Sequence, residues 1–302
     1  MDVHVRDLRY FLAVADELHF TRAAARLFVS QPTLSKQIRA LELHLRSPVF
    51  DRARGAVSLT AAGRALLPHA RAVVAAWDEA QQAVAEAVAT ESAVVTVGFS
   101  TSIGRGLMSA VSDSFAALQP GWRVSLRQIS WADPTVGLAD GSVDAALVWL
   151  PLPADGRFAS RVLTTERRQV ALPLGHRLAG REEIPFAELL DEPFLALPGS
   201  AGAARSFWLA EDAREGRPAR IAGTVTTAEE TFEAIAGGVG VVLLSAGNAA
   251  IYRRPDVVTR PVTGLSPSEL AVAWRLGDHR PVMRSFVLAC VEAADGGRPG
   301  PS

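Results

Sequence analysis

Phe20–Leu45, FTRAAARLFVSQPTLSKQIRALELHL, is the stretch whose reading decides the fold. Apolar or small residues at Phe20, Ala23, Ala24, Leu27, Val29, Leu34, Ile38 and Leu41 keep helical spacing on both sides of a break at Phe28-Val29-Ser30. Ser30 is placed to cap the second helix, and Pro32 is tolerated in its first turn. Once the apolar face is buried, Gln31, Thr33, Ser35, Lys36 and Arg39 are left outward, with groups that suit base edges and phosphate oxygens. Two short helices with a tight break and a polar, basic second helix form the pattern of a DNA reader. The same spacing fits a helical hairpin with a solvated face, because short motifs are weak evidence alone.

The flanks extend the pattern. Leu8, Phe11, Leu12 and Ala15 give Val5–Glu17 one apolar face, which would complete a three-helix core. Beyond Leu45 runs SPVFDRARGAVSLT, with β-like pieces at Val49–Phe50 and Ala56–Leu59 and with Arg52 and Arg54 at the tip. This predicts a wing whose arginines reach phosphates or a minor groove; the alternative is a plain surface loop. Between Thr21 and Arg54 seven basic residues stand against two acidic ones, a balance of +5 in a chain whose total is −1, so the remainder sums to −6. Basic charge is concentrated where DNA is expected.

Thr60–Thr90 reads as one long helix capped by Thr60, roughly 45 Å in length at about 1.5 Å per residue. Leu66, Ala70, Val73, Trp77, Ala80, Val84 and Ala87 alternate steps of four and three, a heptad-like seam. Pairing with the same helix of a second copy would set two DNA heads over two half-sites. A connector helix packed on its own domain is the other reading.

From Ala93 strands alternate with helices, the texture of a mostly parallel sheet covered on its faces. Strands are predicted at VVTVGF, WRVSLRQI and VDAALVWL, then near 161–171, 194–197, 220–226, 241–244, 257–262 and 270–275. Helices are predicted near 104–118, 186–190, 203–215, 228–236 and 280–294, with a helical turn near 135–139. The Gly- and Pro-rich tail Asp295–Ser302 has the composition of a disordered end. In such sheets ligands sit beyond the carboxyl ends of strands, where helix N-termini point spare N–H groups inward. Four such places are polar: Ser100, Thr101 and Ser102; Ser130 and Trp131; Gly199 and Ser200; Thr226 and Thr227, the last spaced with Glu230 as a capping box. Each hydroxyl taken alone fits simple capping. Together they would line one cleft suited to a small anionic or polar organic molecule, with Trp131 and Trp149 as an apolar wall.

Totals narrow the class. At 302 residues, 49% hydrophobic and 21% charged, the composition is that of a globular chain of two or three domains. No apolar run reaches the roughly 18 residues of a membrane span. The N-terminus lacks the apolar segment of a secretory signal. The one cysteine, Cys290, lies in the apolar run FVLACV and fits a reducing compartment, so a cytoplasmic location with no membrane partner is expected. The six histidines lack metal-ligand spacing, and no nucleophile motif is present, so no metal, no cofactor and no enzymatic activity are expected. In AGGVGVVLLS (236–245) the glycines follow a helix and precede a strand, the wrong order for dinucleotide binding.

The pieces LRYFLAVADELHFTRAAARLFVSQPTLSKQIRALE (8–42) and LTAAGRALL (59–67), at this separation, resemble the LysR-type transcriptional regulators. More weakly, PLGHRLAG (173–180), AGGVGVVLLS and the order of elements extend the resemblance over the rest of the chain. It implies an all-α winged helix-turn-helix at 1–59 and a linker and dimerisation helix at 60–91. It also implies an α/β effector-binding domain at 92–302 with two lobes like those of periplasmic binding proteins. With crossings near Thr164 and near Thr263–Ser266, lobe I would be 92–163 with 267–302 and lobe II 164–266. By resemblance, Gln31, Pro32, Thr33, Ser35 and Lys36 would read bases, Thr21, Arg22, Arg39, Arg52 and Arg54 would anchor phosphates, and Ser30 would join them in contacting DNA. Weight is added to Ser100, Ser130 and Thr227 as effector contacts. The implied partners are double-stranded DNA, a small-molecule effector, further copies of the chain as homodimer and homotetramer, and RNA polymerase. The competing function is a solute-binding module whose helical head contacts a partner and has no specific DNA target; the +5 window argues against it.

Overall fold

Apolar residues recurring every three or four positions build three short helices, α1 (Val5–Glu17), α2 (Phe20–Arg26) and α3 (Gln31–Leu45). The protein was analysed as a computed structural model that describes residues 3–27, 29–51, 57–103 and 106–296. It divides into two compact units, Met1–Val88 and Ala89–Ser302.

In the first unit, α1 and α3 both stop on a left-handed residue, Leu18 (φ 46°) and Arg46 (φ 51°), whose N–H groups return to the last helical turn. The three helices bury Phe11, Val14, Phe20, Leu34, Ile38 and Leu41 in one core. Phe50 fills its centre, 5.4 Å from Phe11 and 6.0 Å from Phe20 between ring centroids. Each such side chain stabilises the fold by roughly 1.5–3 kcal/mol of apolar burial. The expected wing begins and ends in a pair of two-residue antiparallel strands, β1 (Phe50–Asp51) and β2 (Ser58–Leu59). Its tip, with Arg52 and Arg54, lies outside the described residues, as does Phe28 of the break.

Thr60 caps α4 (Ala61–Ser92), accepting a hydrogen bond from the Gly63 N–H at 3.0 Å and donating its hydroxyl to the Pro48 carbonyl at 2.7 Å. Gly63 is required there: a Cβ would stand 2.1 Å from the Val49 carbonyl oxygen. The motif LTAAGRALL is therefore a joint that seats the wing on the first turn of the long helix.

In the second unit the alternation forms two sheets. β3 (Val94–Phe99), α5 (Leu107–Leu118), β4 (Arg123–Gln128), β5 (Ala145–Trp149) and β6 (Phe158–Glu166) open lobe I. β7 (Arg168–Pro173), β8 (Ile184–Pro185), β9 (Pro193–Ala196), α6 (Ala203–Trp208), β10 (Arg220–Thr224), α7 (Ala228–Ala236), β11 (Val242–Ser245), α8 (Ala246–Ile251) and β12 (Val257–Thr263) make lobe II. The chain then returns to lobe I with β13 (Ser268–Arg275) and α9 (Pro281–Gly296). Lobe I is a five-stranded sheet ordered β4-β3-β5-β13-β6, with β3 parallel to β4 and β5 and β13 antiparallel to β5 and β6. Lobe II orders β11-β7-β12-β8, with the parallel pair β10-β9 attached through a bridge from Phe194 to Val241.

Several expected elements are corrected. The single strand expected over 161–171 is two strands: hydrogen bonds to β13 run up to Glu166, and those to β11 and β12 begin at Arg168. The first crossing therefore falls at Arg167 rather than Thr164, and the second occupies 264–267. The helix expected over 203–215 ends at Trp208, since Ala210 turns left-handed (φ 51°) and a short 3-10 turn follows at Glu211–Ala213. Residues 135–139 form turns rather than helix, 186–190 holds a 3-10 turn, and α8 was not expected. The expected start of α5 at Gly104 lies outside the described residues. At the other end α9 extends into the expected tail as far as Gly296.

The crossings are clamped by one side chain. Arg168 is 1% exposed, and its guanidinium donates to the Ser266 carbonyl (2.8 Å), the Ser266 hydroxyl (2.9 Å) and the Phe207 carbonyl (2.8 Å) while lying 4.3 Å from the Phe207 ring centroid. It thus ties the first crossing to the second and both to α6. Burial lowers its pKa from the ordinary arginine value, and the charge of Asp212 opposes that shift.

Candidate DNA-reading face and inter-lobe cavity

The break and cap place the outward face of α3. Ser30 accepts a hydrogen bond from the Thr33 N–H at 3.3 Å and shares one with its hydroxyl at 2.7 Å. The Gln31 amide donates to the Ser35 hydroxyl at 2.9 Å. Gln31, Pro32, Thr33, Lys36 and Arg39 are exposed and Ser35 is half-buried, so the expected base-reading residues share one surface. Lys36 and Arg39 have no ion-pair partner among the described residues, which leaves their charges available to phosphate. The cations of α2 differ. Arg22 donates to the Glu17 carbonyl at 2.6 Å and to its carboxylate at 3.3 Å, and Arg26 lies 3.5 Å from Asp16 and 3.6 Å from Glu17. Arg22, expected as a phosphate anchor, also braces the α1–α2 corner with its side chain still largely exposed, and Thr21 beside it is exposed.

The α4 seam divides in two. Ala70 is 1% exposed in the core of the first unit and so is not free to meet a second chain, while Leu66 is half-buried against the same core. Val73, Trp77, Ala80 and Val84 are exposed, three of them large apolar side chains. Arg71 to Asp16 (3.1 Å) and Arg9 to Asp78 hold this part of α4 against α1. The split has a simple cause: a heptad pattern reports an apolar stripe, and the stripe's first two turns are consumed by the chain's own head.

In the second unit the strand ends of both lobes enclose a cavity of about 120 Å³. Of the expected contacts, Ser100, Thr101, Trp131 and Trp149 line it; Ser102, Ser130, Gly199, Ser200, Thr226 and Thr227 do not. Of those six, all but Ser200, whose hydroxyl is buried with no hydrogen-bond partner among the described residues, serve the framework instead. The Ser102 N–H donates to the Tyr252 hydroxyl (3.1 Å), and Ser130 accepts from the Ala132 N–H (3.2 Å). Thr227 accepts from the Glu230 N–H (3.1 Å), and Thr226 donates through its N–H and hydroxyl to the Glu230 carboxylate (2.7 and 2.9 Å). Those bonds from Thr226, with a smaller contribution from the Thr227 backbone N–H, hold the Glu230 carboxyl below its ordinary range. The remaining pair, Gly199 and Ser200, starts a 3-10 turn whose third residue, Ala201, faces the cavity in their place.

What the cavity does contain is aromatic. Trp131 donates its indole N–H to the Ser100 carbonyl at 2.9 Å, joining the ends of β3 and β4, and its ring packs against the apolar core of lobe II. Trp149 from lobe I meets Trp208 from lobe II edge to face at 6.3 Å, and Phe232 stacks on Tyr252 at 5.3 Å. Thr101 accepts a long hydrogen bond from the Asn248 amide (3.4 Å). Among the described residues no Arg, Lys or His lines the cavity, and Asp133 supplies its one charge. Two of the expected N–H donors are already taken, that of Ser102 by the Tyr252 hydroxyl and that of Glu230 by Thr227, while α6 carries no side-chain cap. Trp208, Phe232, Asn248 and Tyr252 were missed from sequence because they reach the cavity from α6, α7 and α8, with no local pattern to mark them.

Comparison with known proteins agrees with this arrangement. Residues 5–64 match the family described as "Bacterial regulatory helix-turn-helix protein, lysR family", and residues 89–295 match the "LysR substrate binding domain". The HTH-type transcriptional regulator ShiR of Corynebacterium glutamicum is 33% identical over 291 residues, 95% of this chain and 97% of that protein. The Hca operon transcriptional activator HcaR of Escherichia coli is 32% identical over 292 residues, 96% and 98% of the two chains. A full-length OxyR variant from Pseudomonas aeruginosa superimposes with a TM-score of 0.52 at 25% identity, covering 97% of this chain and 100% of its own. CbnR complexed with its target DNA gives a TM-score of 0.51 at 23% identity, over 97% and 100%, a likeness of fold.

Proposed function

The chain belongs to the LysR family of DNA-binding transcription regulators, and on that premise we propose how its parts divide the work. Residues 1–59 read DNA, 60–91 link and dimerise, and 92–302 bind a small-molecule effector in the inter-lobe cavity. Gln31, Pro32, Thr33, Ser35 and Lys36 meet base edges, where Gln and Ser hydrogen-bond and the Thr methyl and Pro ring touch a thymine methyl. Arg39, Thr21 and the wing residues Arg52 and Arg54 anchor phosphates, while Ser30 and Arg22 hold the head's own geometry. The observation that carries this reading is the exposed, un-neutralised polar face of α3.

Two copies meet along Val73, Trp77, Ala80 and Val84 of α4, and pairs of dimers, contact with RNA polymerase and a cytoplasmic location complete the reading. The effector enters between Trp131 and Trp149 of one lobe and Trp208 and Phe232 of the other. Its occupancy shifts the population of inter-lobe angles, which requires a difference in affinity between the two states. Arg168 supports this coupling, since it joins both crossings to the α6 backbone beside Trp208. The test is a footprint on DNA upstream of the chain's own gene. Protection of two half-sites that Gln31→Ala renders tolerant at one base pair, by ~1–3 kcal/mol, is expected. Equal loss on specific and random DNA would remove Gln31 from the reading face.

A further inference from the structure

We infer that the effector is an uncharged molecule built on one ring of about benzene size, carrying a single hydroxyl or carbonyl. This rests on the reading of the inter-lobe cavity as the effector site and concerns the chemistry that site accepts.

An anion entering a closed site needs a cation or several free N–H donors to replace its water. Among the described residues the lining supplies no cation. Nearby donors are taken by residues of the lining itself: Asp133 accepts from the Thr135 and Gly137 N–H groups at 2.8 and 2.7 Å. The Ser102 N–H goes to Tyr252. A carboxylate ligand would thus exchange water for an apolar wall and meet Asp133, a charge of its own sign. An ammonium ligand fares little better. Asp133 already accepts three hydrogen bonds, the third from the Thr135 hydroxyl at 2.7 Å, and among the described residues no second carboxylate lines the cavity.

The remaining surface favours a ring. Trp131, Trp149, Trp208, Phe232 and Tyr252 present faces and edges from both lobes. A volume of about 120 Å³ is close to the roughly 150 Å³ of an apolar cavity that binds benzene. Thr101 and Asn248 are joined across the lobes by a bond of only 3.4 Å, and together they offer one donor and one acceptor to a ligand group. The same pair would register closure of the lobes around the ring.

The experiment is calorimetric titration of the full chain with three compounds of matched shape: benzyl alcohol, benzoate and benzylamine. Benzyl alcohol is expected to bind at least tenfold more tightly than either ion. Benzoate or benzylamine binding most tightly, or no binding by any of the three, overturns the inference. Two variants separate the class from the site. Ala204→Phe fills the cavity and should abolish benzyl alcohol binding, while the nearly isosteric Thr101→Val should weaken it about fivefold with the fold intact by circular dichroism. Benzoate preferred in the wild type and lost in Ala204→Phe would mean that the cavity is the site and the ligand class is wrong. Benzyl alcohol unaffected by both variants would mean that it binds elsewhere and that the site itself is wrong.

Discussion

Replacing Arg168 by Met should loosen the hinge between the lobes without emptying the space the side chain occupies. The guanidinium donates three hydrogen bonds of 2.8–2.9 Å. Methionine retains the aliphatic length but leaves the carbonyls of Ser266 and Phe207 without this donor, while the Ser266 hydroxyl can rotate to another partner. The Phe207 carbonyl keeps the Ala210 N–H (3.0 Å) and Ser266 is exposed, so the cost is that of the charged hydrogen bonds themselves, about 1–2 kcal/mol each for the two to carbonyls, and loss of the contact with Phe207 adds up to about 1 kcal/mol. Relief of the guanidinium's own desolvation, the effect that lowers its pKa, offsets part of this. The expected net loss is about 2–3 kcal/mol. Urea unfolding followed by tryptophan fluorescence should show it as a midpoint lowered by roughly 1 M, given a slope near 3 kcal/mol/M. Arg168→Lys, which keeps the charge and cannot span Ser266 and Phe207 together, should lose nearly as much. Amide exchange at 164–169 and 263–268 should accelerate at least about tenfold, while α9 stays protected. A midpoint unchanged in both variants, or acceleration spread evenly over lobe I, would refute the clamp.

Gly63→Ala should destabilise the DNA head by about 3 kcal/mol or prevent its folding, because the new methyl meets the Val49 carbonyl at 2.1 Å; thermal unfolding of the purified chain decides. Arg39→Ala should weaken DNA of any sequence and lower the slope of log affinity against log salt by about 1, read by fluorescence anisotropy, whereas Lys36→Ala should weaken the specific site more than random DNA. Val84→Glu should shift the chain toward monomer in sedimentation, whereas Ala70→Glu, whose parent residue is buried, should unfold the head instead. Burial pushes the Cys290 thiol up to about 12 from an ordinary value of 9.0, so iodoacetamide at pH 8 should label it only after unfolding. In the unfolded chain the thiol loses its proton from about pH 9, while the folded chain holds it until about 12. Stability from this group is therefore complete below pH 9 and declines as pH rises through that window, which alkaline unfolding curves would report.

By itself the sequence determined what local physics determines. The helices of Phe20–Leu45 depend on contacts three and four residues apart, so their spacing, the Ser30 cap and the exposed face of α3 were all readable in the order of residues. The Thr227–Glu230 capping box is local in the same way. Only tertiary structure decided matters that depend on which distant partner a group meets. RVLTTERRQVA is one β-like run, and it becomes two strands because β13 takes the first half and β12 the second. Leu66 and Ala70 share a stripe with Trp77 and Val84, yet the head's core takes the first pair and leaves the second exposed. The polar strand ends looked like an anion cradle because sequence shows donors and not what has already filled them. Folding brings Glu230 and Tyr252 to some of those donors and gathers tryptophans from residues 131, 149 and 208, leaving Asp133 the one charge that lines the cavity among the described residues.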